Sequence, residues 1–172
     1  MSNGHAGSAD WVQGILLRHE GGLTRYARRI VGDDERARDV VQETFLRLCR
    51  EDRGKLDGHL VEWLYTVCRN KALDVRRKEQ RMTMLTEESS LLAESPDLHP
   101  SQLAERRDSA GQILDLLDRL PANQQEAIRL KFQSGLSYRE ISEVTGLSIS
   151  HVGVLIHNGL KTLRARLCVT ES

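Results

Sequence analysis

The chain has 172 residues, of which 39% are hydrophobic and 29% charged, and its formal net charge at pH 7 is zero. This length allows one domain or two small ones with ordinary apolar cores. It contains no run of about 18 apolar residues that could span a membrane, and its start lacks the basic-then-apolar order of a signal peptide, so we expect a cytoplasmic protein.

Disulfide and metal chemistry are not indicated. The three cysteines, Cys49, Cys68 and Cys168, lack CxxC spacing and are predicted to be reduced thiols. The six histidines are scattered, and His151 and His157 fall on different faces of a helix. We therefore expect no metal site and no cofactor.

Charge is unevenly distributed along the chain. Basic residues predominate from 69 to 81, acidic residues from 82 to 120, and a mild basic excess returns after Pro121. Two basic blocks separated by an acidic one indicate two binding modules joined by a connector.

The first predicted element is a helix whose apolar spacing begins at Trp11, after a short polar start that is expected to be disordered. A flexible glycine pair, Gly21-Gly22, interrupts the pattern. Gly32 is predicted to end the helix, because glycine takes the left-handed conformation at no steric cost. Asp33 and Asp34 then supply an N-cap and negative charge for the next helix.

That next helix is predicted over 35–50 and has an apolar face and a polar face. The polar face presents an acid, an amide, an acid and a leucine in one outward strip: Asp39, Gln42, Glu43 and Leu46. Such a strip suits docking of a basic partner, and the alternative is an ordinary solvated face. Residues 50–59, with Gly54 and Gly58, are predicted to form a loop.

The rest of the chain is organised around a helix predicted over 60–81, with an apolar stripe along one side. The other side is expected to expose an aromatic ring, an amide and several guanidinium groups: Tyr65, Arg69, Asn70, Arg76 and Arg77. Cations track phosphates, rings stack bases and an amide can bond a base edge, so this surface suits single-stranded nucleic acid. A solvated basic face is the alternative.

Helical periodicity fades over 82–102, where prolines lie among Ser, Glu and Asp, and this predicts a flexible acidic linker. We therefore predict an all-α protein with two small helical domains, 10–81 and 103–169. The second is expected to be a four-helix module, with Pro121 at the start of its second helix.

This module contains a short helix predicted over 137–145, a turn at Gly146-Leu147-Ser148 and a long helix over 149–166. Such an arrangement is the helix-turn-helix signature, in which the glycine permits a sharp reversal. A simple helical hairpin is the alternative. The long helix directs five residues outward: Ser150, His151, Val154, Asn158 and Lys161.

Three segments in this order resemble the extracytoplasmic-function (ECF) sigma factors of bacterial RNA polymerase, in the sigma-70 family. DVVQETFLRLCR at 39–50 is similar to the polymerase-binding segment, and VEWLYTVCRNKALDVRRKEQR at 61–81 to the promoter-melting and minus-ten-reading segments. LDRLPANQQEAIRLKFQSGLSYREISEVTGLS at 117–148 is similar to the minus-thirty-five module. The resemblance implies that domain 10–81 is sigma region 2 and domain 103–169 is sigma region 4.

The resemblance also implies roles for individual residues. Asp39, Gln42 and Glu43, with Leu46 beside them, match the residues that dock on the polymerase clamp helices. Asn70 matches an asparagine near the pocket for a flipped minus-ten base, and the loop over 50–59 forms another part of that pocket. The further contacts implied are with the melted strand by Tyr65 and Arg69, with its backbone by Arg76 and Arg77, and with the minus-thirty-five element by Arg139, Ser150, His151, Val154, Asn158 and Lys161.

The long helix departs from the family pattern. Relatives carry several Lys or Arg residues where this chain has Gly153, Leu155, Asn158 and Leu160. Weaker phosphate neutralisation and a shallower salt dependence are expected. Outward apolar residues such as Val154 and Leu155 are expected either to contact thymine methyl groups or to pack on another protein.

The implied function is that of a transcription initiation factor, not an enzyme, which captures unstacked minus-ten bases and docks the minus-thirty-five element. The implied partners are core RNA polymerase through its β′ clamp helices and β flap, promoter DNA, and an anti-sigma factor, with no membrane span. The linker is expected either in the RNA-exit path of the polymerase or as a solvated tether.

Two other functions compete with this one. The first is a helix-turn-helix regulator that binds duplex DNA without engaging polymerase, and which needs neither the strip around Glu43 nor the surface around Asn70. The second is an all-helical enzyme, which the absence of HExxH, nucleophile and glycine-rich phosphate motifs disfavours.

Overall fold

The computed structural model describes residues 4–87 and 109–170, and every regular element in these ranges is an α-helix. The helices are α1 (Gly4–Val31), α2 (Asp34–Leu48), α3 (Arg53–Leu56), α4 (Leu60–Glu87), α5 (Ser109–Asp118), α6 (Ala122–Phe132), α7 (Tyr138–Thr145) and α8 (Ile149–Thr170). The predicted all-α class is confirmed. None of these helices is long and apolar enough to cross a membrane. The chain divides into two compact units, which are described separately.

The first unit packs α1, α2 and α4 against one another. Its core includes Leu23 from α1, Val40 from α2 and Leu64 from α4, all at most 1% exposed. Trp11 contacts Arg53, Tyr26 contacts Tyr65, and Arg36 of α2 pairs with Glu79 of α4. These contacts indicate that α4 runs alongside α1 in the same direction, while α2 runs in the opposite direction and packs against both.

The Gly21-Gly22 pair of α1 does not have the role expected of it. The helix begins at Gly4 and continues through Gly21-Gly22, so the predicted disordered start and flexible break are wrong over the described residues. A Cβ built on Gly22 would lie 3.0 Å from the Tyr65 hydroxyl, which shows that this glycine serves close packing. Gly32 does end the helix, with φ of 77°.

The first turn of α2 is capped as predicted. The side chain of Asp33 accepts a hydrogen bond of 2.9 Å from the Arg36 N–H. This bond satisfies one of the N–H groups that a helix start leaves without a partner inside the helix.

The predicted linker over 82–102 begins too early. Residues 82–87 continue α4, because Met, Leu and Glu are good helix formers even where no apolar stripe marks the helix. Residues 88–102 lie outside the described residues, and the linker there stays a prediction.

The second unit packs α8 against α5 and α6. Gly159 permits the α6–α8 crossing, since a Cβ at this position would lie 2.5 Å from Cδ1 of Ile128. Pro121 precedes α6 as its N-cap residue, as predicted. Arg129 is 5% exposed, and its Nη2 lies 2.6 Å from an Asp118 carboxylate oxygen, an ion pair that joins the end of α5 to α6.

Candidate functional site

The outward face of α2 carries the strip expected from the sequence, which we call the docking strip: Asp39, Gln42, Glu43 and Leu46. Glu43 is half-buried and the other three are exposed, with Leu46 48% exposed. Positions 39, 42, 43 and 46 follow helical spacing and lie on one face. The opposite face is buried and includes Val40, Thr44 and Phe45. The strip thus combines negative charge, an amide and one apolar side chain on a helix held firmly by the core.

The outward side of α4 exposes Asn70, Arg76 and Arg77, with Arg69 half-buried. These four residues form what we call the single-strand surface. Nη1 of Arg77 lies 3.4 Å from Oδ1 of Asp74 on the same helix, and this exposed ion pair is weak in water. The surface therefore offers one amide and several cations along the side of α4 that the core leaves open.

Tyr65 does not belong to this surface, and its prediction as an exposed ring is wrong. Only 4% of the residue is exposed, and its ring meets Tyr26 edge to face, with centroids 5.2 Å apart and planes at 67°. Position 65 follows helical spacing with Cys68 and Ala72 on the apolar stripe. Gly22 leaves room for the hydroxyl, so the whole ring fits against α1.

The loop over 50–59 is more ordered than its composition predicts, because it contains α3. Asp52 caps this turn by accepting a 3.0 Å hydrogen bond from the Gly54 N–H. Leu56 is 5% exposed and anchors the turn to the core, while Gly58 takes a φ of 78°. The signal in the sequence was the Asp52 cap followed by one apolar residue, Leu56.

The helix-turn-helix is formed by α7 and α8. Ser137 and Glu140 form a capping box, in which the Glu140 N–H donates to Ser137 Oγ at 3.2 Å and the Ser137 N–H donates to Glu140 Oε2 at 2.7 Å. Gly146 ends α7 in the left-handed conformation, with φ of 75°. The Ser142 hydroxyl donates to the Leu147 carbonyl at 2.5 Å and closes the turn.

All six residues predicted to face the minus-thirty-five element are exposed: Arg139, Ser150, His151, Val154, Asn158 and Lys161. Leu155, which we expected to point outward, is 5% exposed, and that expectation is wrong. Positions 152, 155, 156 and 159 form the inward face of α8. Gly153 lies under Tyr138, since a Cβ there would be 3.7 Å from the ring, and Lys131 Nζ lies 5.4 Å from the centroid of the same ring.

Metal ligands do not cluster in the described ranges, where no group of three His, Cys, Asp or Glu side chains could hold an ion. Cys49 and Cys168 are exposed. Cys68 is buried, and its Sγ lies 3.9 Å from the Leu23 carbonyl oxygen. Burial raises the pKa of the thiol to about 12, while a side-chain hydrogen bond with Thr44 lowers the pKa. Such a thiol is inert at neutral pH.

Comparison with known proteins identifies the family of this chain. The family models Sigma-70 region 2 and Sigma-70, region 4 match residues 15–82 and 110–163. The ECF RNA polymerase sigma factor SigE of Mycolicibacterium smegmatis is 32% identical over 161 residues, which cover 92% of this chain and 62% of SigE. SigD of Mycobacterium bovis is 32% identical over 168 residues, which cover 92% of this chain and 78% of SigD.

A solved structure has the same architecture. It contains the sigma factor RpoE with the anti-sigma factor NepR from Bartonella quintana, and it matches with a TM-score of 0.65 and 25% identity. The match covers 91% of this chain and 96% of that one. Sigma factors initiate transcription with RNA polymerase and are not enzymes. On these matches the chain belongs to the ECF sigma factors of bacterial RNA polymerase, the family that its motifs resemble.

Proposed function

We propose that this chain directs core RNA polymerase to specific promoters by docking through α2 and capturing unstacked minus-ten bases on α4. The observation that carries the proposal is the pairing of two different exposed faces in one unit, the acidic docking strip and the basic single-strand surface. A duplex-binding regulator needs neither face. In this proposal residues 10–81 form sigma region 2 and residues 103–169 form sigma region 4.

The docking strip suits a basic partner such as the β′ clamp helices. Asp39 and Glu43 supply negative charge, and Leu46 adds an exposed apolar side chain between them and the end of α2. Charge complementarity steers association and sets the register of an interface, while the apolar contact is removed from water. The second unit would meet the β flap and the minus-thirty-five element.

Promoter opening follows from preferential binding and needs no catalytic group. A surface that binds unstacked bases better than duplex shifts the melting equilibrium toward the open state. Capturing one base contributes about 1–3 kcal/mol. Stacking of one duplex step contributes about 1.4 kcal/mol on average, so a few captured bases can hold a short bubble open.

The burial of Tyr65 changes which groups do the capturing. With that ring packed on α1, the proposed contacts are the amide of Asn70 with a base edge and the guanidinium groups of Arg69, Arg76 and Arg77 with phosphates. The loop that contains α3 would form the other wall of the base pocket.

An antagonist is also part of the proposal. The relative RpoE was solved with the anti-sigma factor NepR. A protein of that class would compete with polymerase if it covered the docking strip. We propose that such a partner regulates this chain.

The test is co-elution with sigma-free core RNA polymerase on a sizing column. The wild type is expected to co-elute, and Glu43→Lys is expected not to, since it places a cation in the docking strip. Glu20→Lys is the matched control, because it reverses one exposed charge on α1 outside the strip. Equal co-elution of wild type and Glu43→Lys would remove the docking assignment.

Asn70→Ala separates opening from docking. It is expected to weaken opening of a promoter by the holoenzyme while leaving co-elution unchanged, because Asn70 lies on α4 and not on the strip. Permanganate footprinting of unpaired thymines measures the opening. Equal losses in the two assays would contradict a role for Asn70 in base capture.

A further inference from the structure

The short helix α3 carries an arginine that is stacked on an aromatic ring. The guanidinium carbon of Arg53 lies 5.2 Å from the centroid of the Trp11 ring, near the beginning of α1. A cation over an indole face at this distance is attracted by the ring quadrupole. Arg53 stays exposed, whereas Trp11 is half-buried. The ring is therefore the more firmly held partner, and it orients the guanidinium.

Four other arginines of the described residues lie beside carboxylates. The pairs are Arg28 with Asp34, Arg36 with Glu79, Arg77 with Asp74, and Arg129 with Asp118. Within residues 4–87 and 109–170 the structure gives Arg53 no such carboxylate, only the Trp11 ring. A ring neither neutralises the charge nor occupies the N–H groups at the guanidinium edge. Arg53 thus keeps its full capacity for an anion.

The backbone that carries Arg53 is held in place. The Asp52 cap, the buried Leu56 and the left-handed Gly58 fix α3 just before α4 begins at Leu60. Arg77 follows 17 positions after Leu60 on the same helix, about 26 Å away at 1.5 Å per residue. Arg53 precedes α4 and Arg77 lies near its other end, so these two arginines flank Asn70 in the sequence.

We propose that Arg53, oriented by Trp11, binds a phosphate of the captured single strand at the α3 end of the single-strand surface. The planar guanidinium matches phosphate with two parallel hydrogen bonds. Stacking on Trp11 reduces the conformational entropy that Arg53 loses when these bonds form. Trp11 is a positioning residue that acts through Arg53. The inference rests on the proposed function and extends its DNA contact from α4 to α3 and the start of α1.

The test measures how binding to single-stranded DNA depends on salt. The probe is a fluorescein-labelled, mixed-sequence strand of about 12 nucleotides, within the usual range of site sizes, and the full chain is titrated by anisotropy. Each phosphate contact adds about 0.7 to the slope of log affinity against log salt for single strands. Arg53→Gln is expected to reduce the slope by about that amount and to weaken binding on the order of fivefold at 0.1 M salt.

The controls separate a phosphate contact from general effects. Arg28→Gln also removes one exposed positive charge, but that guanidinium already faces Asp34 at 3.0 Å, so its slope is expected to match the wild type. Trp11→Leu is expected to weaken binding to single-stranded DNA because it removes the ring. Trp11→Phe is expected to bind as the wild type does because it keeps an aromatic face for Arg53. Circular dichroism verifies that each variant is folded.

The outcomes divide clearly. If Arg53→Gln keeps the wild-type slope while Arg76→Gln lowers it, the Arg53 contact is overturned and the α4 surface stands. If neither variant changes the slope, the single-strand surface falls as well. Because polymerase is absent from this assay, docking is judged separately by the co-elution experiment. A slope that falls equally for Arg28→Gln and Arg53→Gln would also overturn the inference, since it would reflect only net charge.

Discussion

The contact between Gly22 and Tyr65 predicts that Tyr65→Phe reverses the sign of the stability change caused by Gly22→Ala. A Cβ on Gly22 would lie 3.0 Å from the Tyr65 hydroxyl oxygen, and no other described atom outside α1 lies within 4 Å. Gly22→Ala should therefore be opposed by that single oxygen. Tyr65→Phe removes the oxygen and keeps the ring that packs on Tyr26.

The magnitudes follow from two opposing contributions. Alanine in place of glycine inside a helix stabilises by about 0.5–1 kcal/mol. Crowding of a packed interior costs about 1–3 kcal/mol. In the wild type we expect Gly22→Ala to lower the free energy of unfolding, by up to about 2.5 kcal/mol. In the Tyr65→Phe background the same change is expected to raise it by about 0.5–1 kcal/mol, so the two sites are coupled.

Tryptophan fluorescence is a suitable assay, because both tryptophans of the chain, Trp11 and Trp63, belong to the first unit. The double-mutant cycle compares the wild type, Gly22→Ala, Tyr65→Phe and the double variant by urea unfolding. It gives the coupling free energy between the two sites, independent of the cost of losing the Tyr65 hydroxyl itself. Additivity within about 0.5 kcal/mol would refute the close contact, because distant sites behave in that way.

Three further predictions concern residues whose burial the structure shows. Leu155→Ala is expected to lower the free energy of unfolding by about 2–5 kcal/mol, measured by urea unfolding followed by circular dichroism. Val154 is 53% exposed, so Val154→Ala should change this free energy by no more than about 0.5 kcal/mol. Equal losses for the two variants would contradict the described faces of α8. In native protein iodoacetamide should alkylate Cys49 and Cys168 but not Cys68, and mass spectrometry should find the third adduct only after denaturation. Burial raises the pKa of the Cys68 thiol from 9.0 to about 12, so the unfolded chain loses this proton at a lower pH than the folded chain. The urea midpoint of the first unit should therefore fall as the pH rises from 9.0 to about 12.

Features set by local interactions could be predicted from the sequence. Gly32, Asp33, Pro121 and Gly146 each mark a helix end for a reason that involves only neighbouring residues, and each was found at that end. The outward placement of Asp39, Gln42, Glu43 and Leu46 could be predicted because these positions lie opposite a continuous apolar face on one short helix.

Features that depend on a partner helix could not be predicted in this way. Tyr65 carries a polar hydroxyl and lies beside charged residues, and only the space over Gly22 explains why the ring turns inward. Leu155 is inward because Ile156 and Val152 share its face against the rest of the second unit. The contact of Trp11 with Arg53 joins residues far apart in sequence, and no periodicity marks it.

The two proposed DNA contacts should differ in their dependence on salt. On α8 the outward positions Ser150, Val154 and Asn158 carry no charge, and Gly153 lies beneath the Tyr138 ring. Lys161 is the lysine among the outward positions of this helix, so duplex binding by α8 would rely mainly on shape and on apolar contact, including Val154 against thymine methyl groups. In the proposed function the cations of the first unit contact the melted strand, so added salt should release the captured strand before it weakens minus-thirty-five docking. Promoter opening, rather than initial duplex binding, is therefore the step at which ionic strength would act on this sigma factor.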